Sequence, residues 1–196
     1  NVTDTNDESP VLTVATPYSV AEGATIVGTV TTTDADAGAT TSYSLTGTDG
    51  GLFTINSDGD IVFATAPDFE SGRSNAYSLN VVVSDGTNQD VEAIIVNVTD
   101  ENEAPVITTT SFGSVAEEQT AVGSLAVTDD AGDSISYAIT GGVDSDKFAV
   151  SGSTLAFSGF TPNFESPTGG SGDDSNTYLV QITATDGGSL TDVETV

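Results

Sequence analysis

Apolar and polar residues alternate along short stretches of this chain, and no apolar stripe recurs at helical spacing. Over Tyr77-Ser78-Leu79-Asn80-Val81-Val82-Val83, the side chains of Tyr77, Leu79, Val81 and Val83 fall on one face of an extended strand. Ile94, Val96 and Val98 alternate likewise, and Ser42-Tyr43-Ser44-Leu45, Phe53-Thr54-Ile55 and Ile61-Val62-Phe63 predict shorter strands. Turn signals separate them at Glu22-Gly23, Asp49-Gly50-Gly51, Asp58-Gly59 and Asp85-Gly86. About seven strands in roughly ninety residues is the spacing of a β-sandwich.

The pattern occurs twice. Ser19-Val20-Ala21-Glu22 recurs as Ser114-Val115-Ala116-Glu117, Pro10-Val11 as Pro105-Val106, and Pro67-Asp68-Phe69-Glu70-Ser71 as Pro162-Asn163-Phe164-Glu165-Ser166, each 95 residues on. Beyond Asn75-Ala76-Tyr77, matched by Asn176-Thr177-Tyr178, the offset is 101, which marks a six-residue insertion in the Gly/Ser/Asp-rich loop between Pro167 and Ser175. The aromatic residues recur too, as Tyr43/Tyr137, Tyr77/Tyr178, Phe53/Phe148, Phe63/Phe157 and Phe69/Phe164, and core packing is the expectation for all five pairs. The chain therefore reads as a junction at 1–9, a first repeat at 10–100, a linker at 101–104 and a second repeat at 105–196 that stops inside its last strand. The expected fold is all-β: two tandem seven-stranded Greek-key β-sandwiches arranged end to end.

Composition narrows the chemistry. Thirty Asp and Glu face two cationic residues, Arg73 and Lys147, for a formal net charge of −28 over 196 residues, and His, Cys, Met and Trp are absent. A nucleic-acid partner needs cationic residues against its phosphates. Ser-His and Cys-His nucleophiles, and zinc sites built of thiolate or imidazole, are excluded outright. No apolar run reaches the length of a spanning helix, so membrane insertion is not expected. Like charges at this density oppose a compact state, yet 36% of the residues are hydrophobic, so a counter-cation is called for. Ca²⁺, which takes six to eight oxygen ligands, is the candidate.

The acids with the most suggestive positions sit at strand ends: Glu22, Asp34-Ala35-Asp36, Asp68-Phe69-Glu70, Asp85, and the runs Asp4-Thr5-Asn6-Asp7 and Asp100-Glu101-Asn102-Glu103. Alternate connections of a sandwich gather on opposite ends. Glu22, Asp68 and Glu70 are therefore expected at the pole facing the following junction, and Asp34, Asp36 and Asp85 at the pole facing the preceding one.

In this order, Ala-Glu-Gly, Asp-Ala-Asp, Asp-Phe-Glu and Ser-Asp-Gly, with Asp-x-Asn-Asp/Glu before the Ser-Pro or Ala-Pro of each junction, the chain resembles the cadherin repeat, in a form closer to bacterial cadherin-like arrays than to vertebrate adhesion receptors. The resemblance implies calcium at the junctions. For the complete junction it implies Glu22, Asp68 and Glu70 from the first repeat, the linker residues Glu101, Asn102, Glu103 and Ala104 (Glu101 and Ala104 through carbonyls), and Asp129, Asp130, Asp186 and a carbonyl near Gly132 from the second. Two or three Ca²⁺ are expected there. One more is expected near the N-terminal junction, on Asn6, Asp7, Asp34, Asp36 and Asp85. The second repeat carries Asp129-Asp130 where the first has Asp34-Ala35-Asp36, and its linker is one residue shorter.

What the resemblance implies functionally is an extracellular or cell-surface module of a large adhesin, in which calcium stiffens a tandem array whose partners are neighbouring repeats of the same chain. Polysaccharide binding or homophilic contact is the alternative, with Tyr18 and Phe160 as the aromatic candidates because neither is matched between the copies. Paired carboxylates can hydrolyse glycosides, but here they follow the order of metal ligands, so the chain is read as a non-enzyme.

Overall fold

The computed structural model describes residues 3–130, 132–169 and 175–196. The middle of the inserted loop, at 170–174, lies outside the described residues, as do residues 1 and 2 of the N-terminal junction and position 131. The chain divides into two compact units, Asn1–Glu101 and Asn102–Val196. Among the described residues, both are all-β apart from one short 3₁₀ turn each. Among the described residues, no helix is long and apolar enough to cross a membrane.

In the first unit, nine short strands trace seven paths. β1 (Val11–Thr13) and β2 (Tyr18–Ala21) are the two halves of one strand, as are β3 (Ile26–Thr29) and β4 (Thr31–Thr33). One sheet runs β2-β9-β8-β5, where β5 is Ser42–Thr46, β8 is Ala76–Ser84 and β9 is Gln89–Thr99. The other runs β3-β7-β6, with β6 at Phe53–Ile55 and β7 at Asp60–Phe63, and β1 pairs with β4. All these pairings are antiparallel except β2 with β9, where Tyr18 stands opposite Val96 and Ala21 opposite Thr99. The alternation expected from the sequence is realised in full: Tyr77, Leu79, Val81 and Val83 of β8 and Ile94, Val96 and Val98 of β9 are buried in one core. The core also holds an aromatic triad, with Phe53 and Phe63 ring centres 4.3 Å apart and Tyr77 edge-on to both. A Cβ at Gly28 would lie 2.6 Å from the Tyr18 ring, so glycine there is what lets the ring seat.

The second unit repeats this plan with β10 (Val106–Ile107), β11 (Ala121–Ser124), β12 (Val127–Thr128), β13 (Ser136–Gly141), β14 (Phe148–Ser151), β15 (Thr154–Phe157), β16 (Gln181–Thr185) and β17 (Thr191–Thr195). Its sheets are β13-β16-β17 and β11-β15-β14, with β10 paired to β12. Leu155, Val180, Ile182 and Ala184 centre its core, and Phe148, Phe157 and Tyr178 reproduce the aromatic triad. The counterpart of β2, at 113–116, forms no strand. A groove of about 420 Å³ opens beside it, lined by Phe112, Val115, Phe164, Tyr178, Val180 and Val196 among others. One expectation fails here: Phe164, matched to the half-buried Phe69, is 67% exposed. Phe69 packs against the core of the first unit, whereas Phe164 borders the open groove.

Several aspartates act as pins within the frame, and the pins are duplicated. Asp90 Oδ2 accepts the Leu12 N–H at 2.9 Å, and Asp192 Oδ2 accepts the Ile107 N–H at 2.7 Å. Asp49 Oδ2 accepts the Ser78 N–H at 2.7 Å. Its match Asp144, with no solvent exposure, accepts the Leu179 N–H at 2.9 Å and pairs with Lys147 Nζ at 2.9 Å.

Candidate metal centre

The two ends of β9 place the acids of the first unit. Eleven residues at about 3.3 Å each separate the turn carrying Asp85, before Gln89, from the exit at Asp100, after Thr99. At the exit, the parallel register with β2 sets Glu22 beside Asp100, because Ala21 is paired with Thr99. Glu22, Glu70 and Asp100 offer carboxylate oxygens within 4.8 Å of one another. Glu22 also organises the backbone around it: Oε2 accepts the Phe69 N–H at 2.8 Å and Oε1 the Glu101 N–H at 3.0 Å. Asp68 does not join this set. The chain turns at Asp68, whose carbonyl accepts the Ser71 hydroxyl at 2.7 Å, so the extended phase that would have aligned its side chain with Glu70 is lost, and the residue is exposed.

At the other end of the first unit stand Asn6, Asp34, Asp36 and Asp85. Asp85, 9% exposed, accepts the Thr87 and Asn88 N–H groups on Oδ1, both at 2.6 Å. Hydrogen bonding, with the Asn88 main-chain N–H first, holds its carboxyl below the usual range. Asp36, equally buried, accepts the Glu8 N–H at 3.0 Å. With its nitrogen turned toward the acids, the Asn6 amide donates to Asp85 Oδ2 at 3.0 Å and Asp36 Oδ2 at 3.1 Å. Asp34 Oδ1 accepts the Asp36 N–H at 3.0 Å, while its Oδ2 is buried without a partner. Asp7 is exposed. Asp4, which had no assigned part, accepts the Ala37 N–H at 2.7 Å and so steadies the Asp34–Asp36 loop.

The corresponding end of the second unit is built from Asn102, Asp129, Asp130, Asp133 and Asp186. Asp186, 7% exposed, accepts the Leu190 N–H at 2.7 Å on Oδ1 and the Asn102 amide at 2.8 Å on Oδ2. Asp130 Oδ2 accepts the Glu103 N–H at 3.0 Å. Ala104 is exposed, and Gly132 takes the left-handed φ of 107° that shapes the loop. Carboxylate oxygens of Asp129, Asp133 and Asp186 lie within 4.8 Å of one another. Both oxygens of Asp129 are buried and without a hydrogen-bond partner. Burial pushes its carboxyl up, and the charges of Asp130, Asp186 and Asp133 add to the shift. The Asp130 N–H lies near enough to oppose this, without completing a bond.

An unpaired buried carboxylate among other carboxylates is costly by itself. It suits a hard divalent cation, which carboxylate oxygens coordinate directly, so the donor set fits Ca²⁺. Two residues in these clusters, Asp100 and Asp133, had not been singled out as ligands. Asp100 opens the Asp-x-Asn motif, and the signal that would have found it is the parallel pairing of β2 with β9.

The aromatic candidates for sugar stacking face inward. Tyr18 is buried, with its hydroxyl accepting the Ala15 N–H at 3.3 Å, and Phe160 packs edge-on to Phe157 at 5.5 Å.

Comparison with curated protein sequences gives no match. Solved structures do match. Human protocadherin-24 EC1-2 is similar at 20% identity, covering 97% of this chain and 95% of that one, with a TM-score of 0.66. PcdhgB3 EC1-4 is 26% identical with a TM-score of 0.66, and Drosophila N-cadherin EC1-4 is 21% identical with a TM-score of 0.63. These two cover 100% and 96% of this chain but only 50% and 48% of their own length. Residues 16–104 match the family described as the cadherin domain, and the two sandwich units have the fold of cadherin ectodomain repeats.

Proposed function

We propose that this chain is a calcium-dependent structural and adhesion module from a tandem array. In this reading the segment 101–104, with acids from both units, binds Ca²⁺ and becomes a stiff joint. The observation that carries it is the carboxylate of Asp129, buried with neither oxygen hydrogen-bonded, next to Asp133 and Asp186. A charged carboxylate is costly to bury without a partner of opposite charge. Glu22, Glu70 and Asp100 at the exit of the first unit form a second acidic set, and Asn6, Asp34, Asp36 and Asp85 a third. Bound there, Ca²⁺ supplies positive charge and coordination that replace carboxylate repulsion with cross-links. The residues' own part is to present oxygens: Glu22 fixes the 67–70 loop and the strand exit, and Asp36 and Asp130 fix the backbone that enters each unit.

Similar structures include extracellular cadherin domains of protocadherin gamma B7 and the human desmocollin-1 ectodomain, and an extracellular or surface location in an adhesin of bacterial type suits the absence of Cys, since metal takes the place of disulfides as the staple. Extracellular modules of this kind bind at about 10⁻⁴–10⁻³ M. Calorimetric titration of the metal-free protein with Ca²⁺ tests the reading. Saturable binding of two or more ions, with a higher melting temperature than in EDTA, is expected. No heat and no change in melting would overturn it.

A further inference from the structure

The two copies can be aligned by their hydrogen bonds, independently of sequence. Asp36 and Asp130 each accept, on Oδ2, the N–H of the residue that enters their unit, Glu8 and Glu103, both at 3.0 Å. Their carbonyls accept the N–H three residues on, from Ala39 at 3.3 Å and Asp133 at 3.2 Å. Asp130 thus matches Asp36, and Asp133 stands where the first unit has Ala39. Asp34 then matches Asp129, and the missing residue is the counterpart of Ala35. That deletion has a chemical consequence. With Ala35 present, the Asp36 N–H reaches back to Asp34 Oδ1 at 3.0 Å and satisfies half of that carboxylate. Without it, the adjacent Asp130 N–H makes no such bond, and both oxygens of Asp129 stay unpaired and buried. The same loop brings in the additional carboxylate of Asp133, with an oxygen within 4.8 Å of those of Asp129 and Asp186.

We propose that Asp133 is a direct carboxylate ligand of the divalent cation held with Asp129 and Asp186, and that this pole of the second unit grips the ion more tightly than its counterpart in the first, where Ala39 has no side-chain donor to offer. The inference rests on the calcium reading above. Affinity in carboxylate sites rises with the number of charged ligands; the shortened loop therefore exchanges an internal hydrogen bond for a denser ligand set.

The test is calorimetric Ca²⁺ titration of the whole chain as wild type, Asp133→Ala, Asp133→Asn, Asp129→Ala and, as a control that removes one charge from the same unit, Asp146→Asn. Asp133 is exposed, and metal-free melting curves check that each variant folds. Asp133→Ala is expected to weaken one class of site about tenfold, Asp133→Asn less because an oxygen donor remains, and Asp146→Asn hardly at all. If Asp133→Ala, Asp133→Asn and Asp146→Asn weaken binding equally, Asp133 acts only as distant charge and the inference falls. If Asp129→Ala weakens binding while Asp133→Ala matches wild type, the inference falls and the calcium reading stands. If the wild type binds no calcium, both fall.

Discussion

Replacing Glu22 by alanine separates the structural work of this carboxylate from its work as a ligand. In metal-free protein the side chain accepts two backbone N–H groups, from Phe69 at 2.8 Å and Glu101 at 3.0 Å. Bonds of this kind to a charged group contribute about 1.5–3 kcal/mol each, and the half-buried setting puts them near the lower end. Glu22→Ala should therefore cost about 3 kcal/mol in EDTA, or roughly 12–24 °C in the melting of a unit of this size. Glu117, the matched residue of the second unit, accepts the Phe164 N–H at a longer 3.2 Å, so Glu117→Ala should cost nearer 1 kcal/mol. Calcium then adds a second term. At a hundredfold excess over the dissociation constant it stabilises wild type by about 2.7 kcal/mol, and a variant that has lost a ligand forgoes most of this. The gap between wild type and Glu22→Ala should widen to about 5–6 kcal/mol, while the gap for Glu117→Ala changes little. Differential scanning calorimetry in EDTA and in calcium measures both gaps. If the Glu22→Ala gap keeps the same width in the two conditions, Glu22 is a backbone clamp only. If the two variants melt alike in EDTA, the reasoning from hydrogen-bond geometry is wrong as well.

Three further outcomes follow from the same structure. Asp144→Ala removes a fully buried carboxylate and strands the Leu179 N–H and the Lys147 ammonium, so urea unfolding of the second unit should show a loss of about 2–4 kcal/mol, against less than 0.5 kcal/mol for the exposed Asp146→Ala. Asp60 is held below the usual carboxyl range by the Thr29 hydroxyl first and the Asn56 amide second; its stabilising contribution is present above the ordinary carboxyl pKa and is lost as pH falls through the lowered value, and ¹³C-detected titration should find the Asp60 pKa returned upward in Thr29→Val. Appending a copy of residues 95–100 after Val196 should lay a strand along 113–116 as Val96–Thr99 lies along β2, raising the melting temperature of the second unit by several degrees and protecting its 113–116 amides from hydrogen exchange, because each newly buried valine contributes about 1.5–3 kcal/mol.

The strands were legible because a half-buried strand writes its two faces into alternate residues, and Tyr77 to Val83 and Ile94 to Val98 do so without interruption. The second copy told more than composition did, since only an ordered set repeated at one offset separates Asp34 or Glu70 from the many acids that merely cap turns. What alternation does not encode is the partner of a strand. β2 pairs in parallel with the end of β9, and that register brings Asp100 to Glu22. Nor does it encode a tight turn: Asp68 and Glu70 share a phase on paper, and the turn closed onto the Asp68 carbonyl separates them. The buried Asp144 and the half-buried Asp90 and Asp192 read as surface charge in sequence, yet each accepts a main-chain N–H.

Asp129 and Asp130 show how one deleted residue can matter more than a substitution. On a regular strand, neighbours point to opposite faces, so an adjacent pair should lose one carboxylate from the site. The chain resolves this by division of labour. Asp130 keeps the bond to the incoming Glu103 N–H that Asp36 makes to Glu8, and Asp129 keeps the inward position of Asp34 but without its internal hydrogen bond. Asp133, in the place of Ala39, then crowds a third carboxylate onto Asp129 and Asp186. Each change worsens the metal-free unit by burying or gathering negative charge, and each improves the same group of atoms as a cation receptor. On the calcium reading proposed above, both changes cost the empty unit stability and both favour the ion-bound one, so the gap in melting temperature between calcium and EDTA should be carried largely by this pole of the second unit.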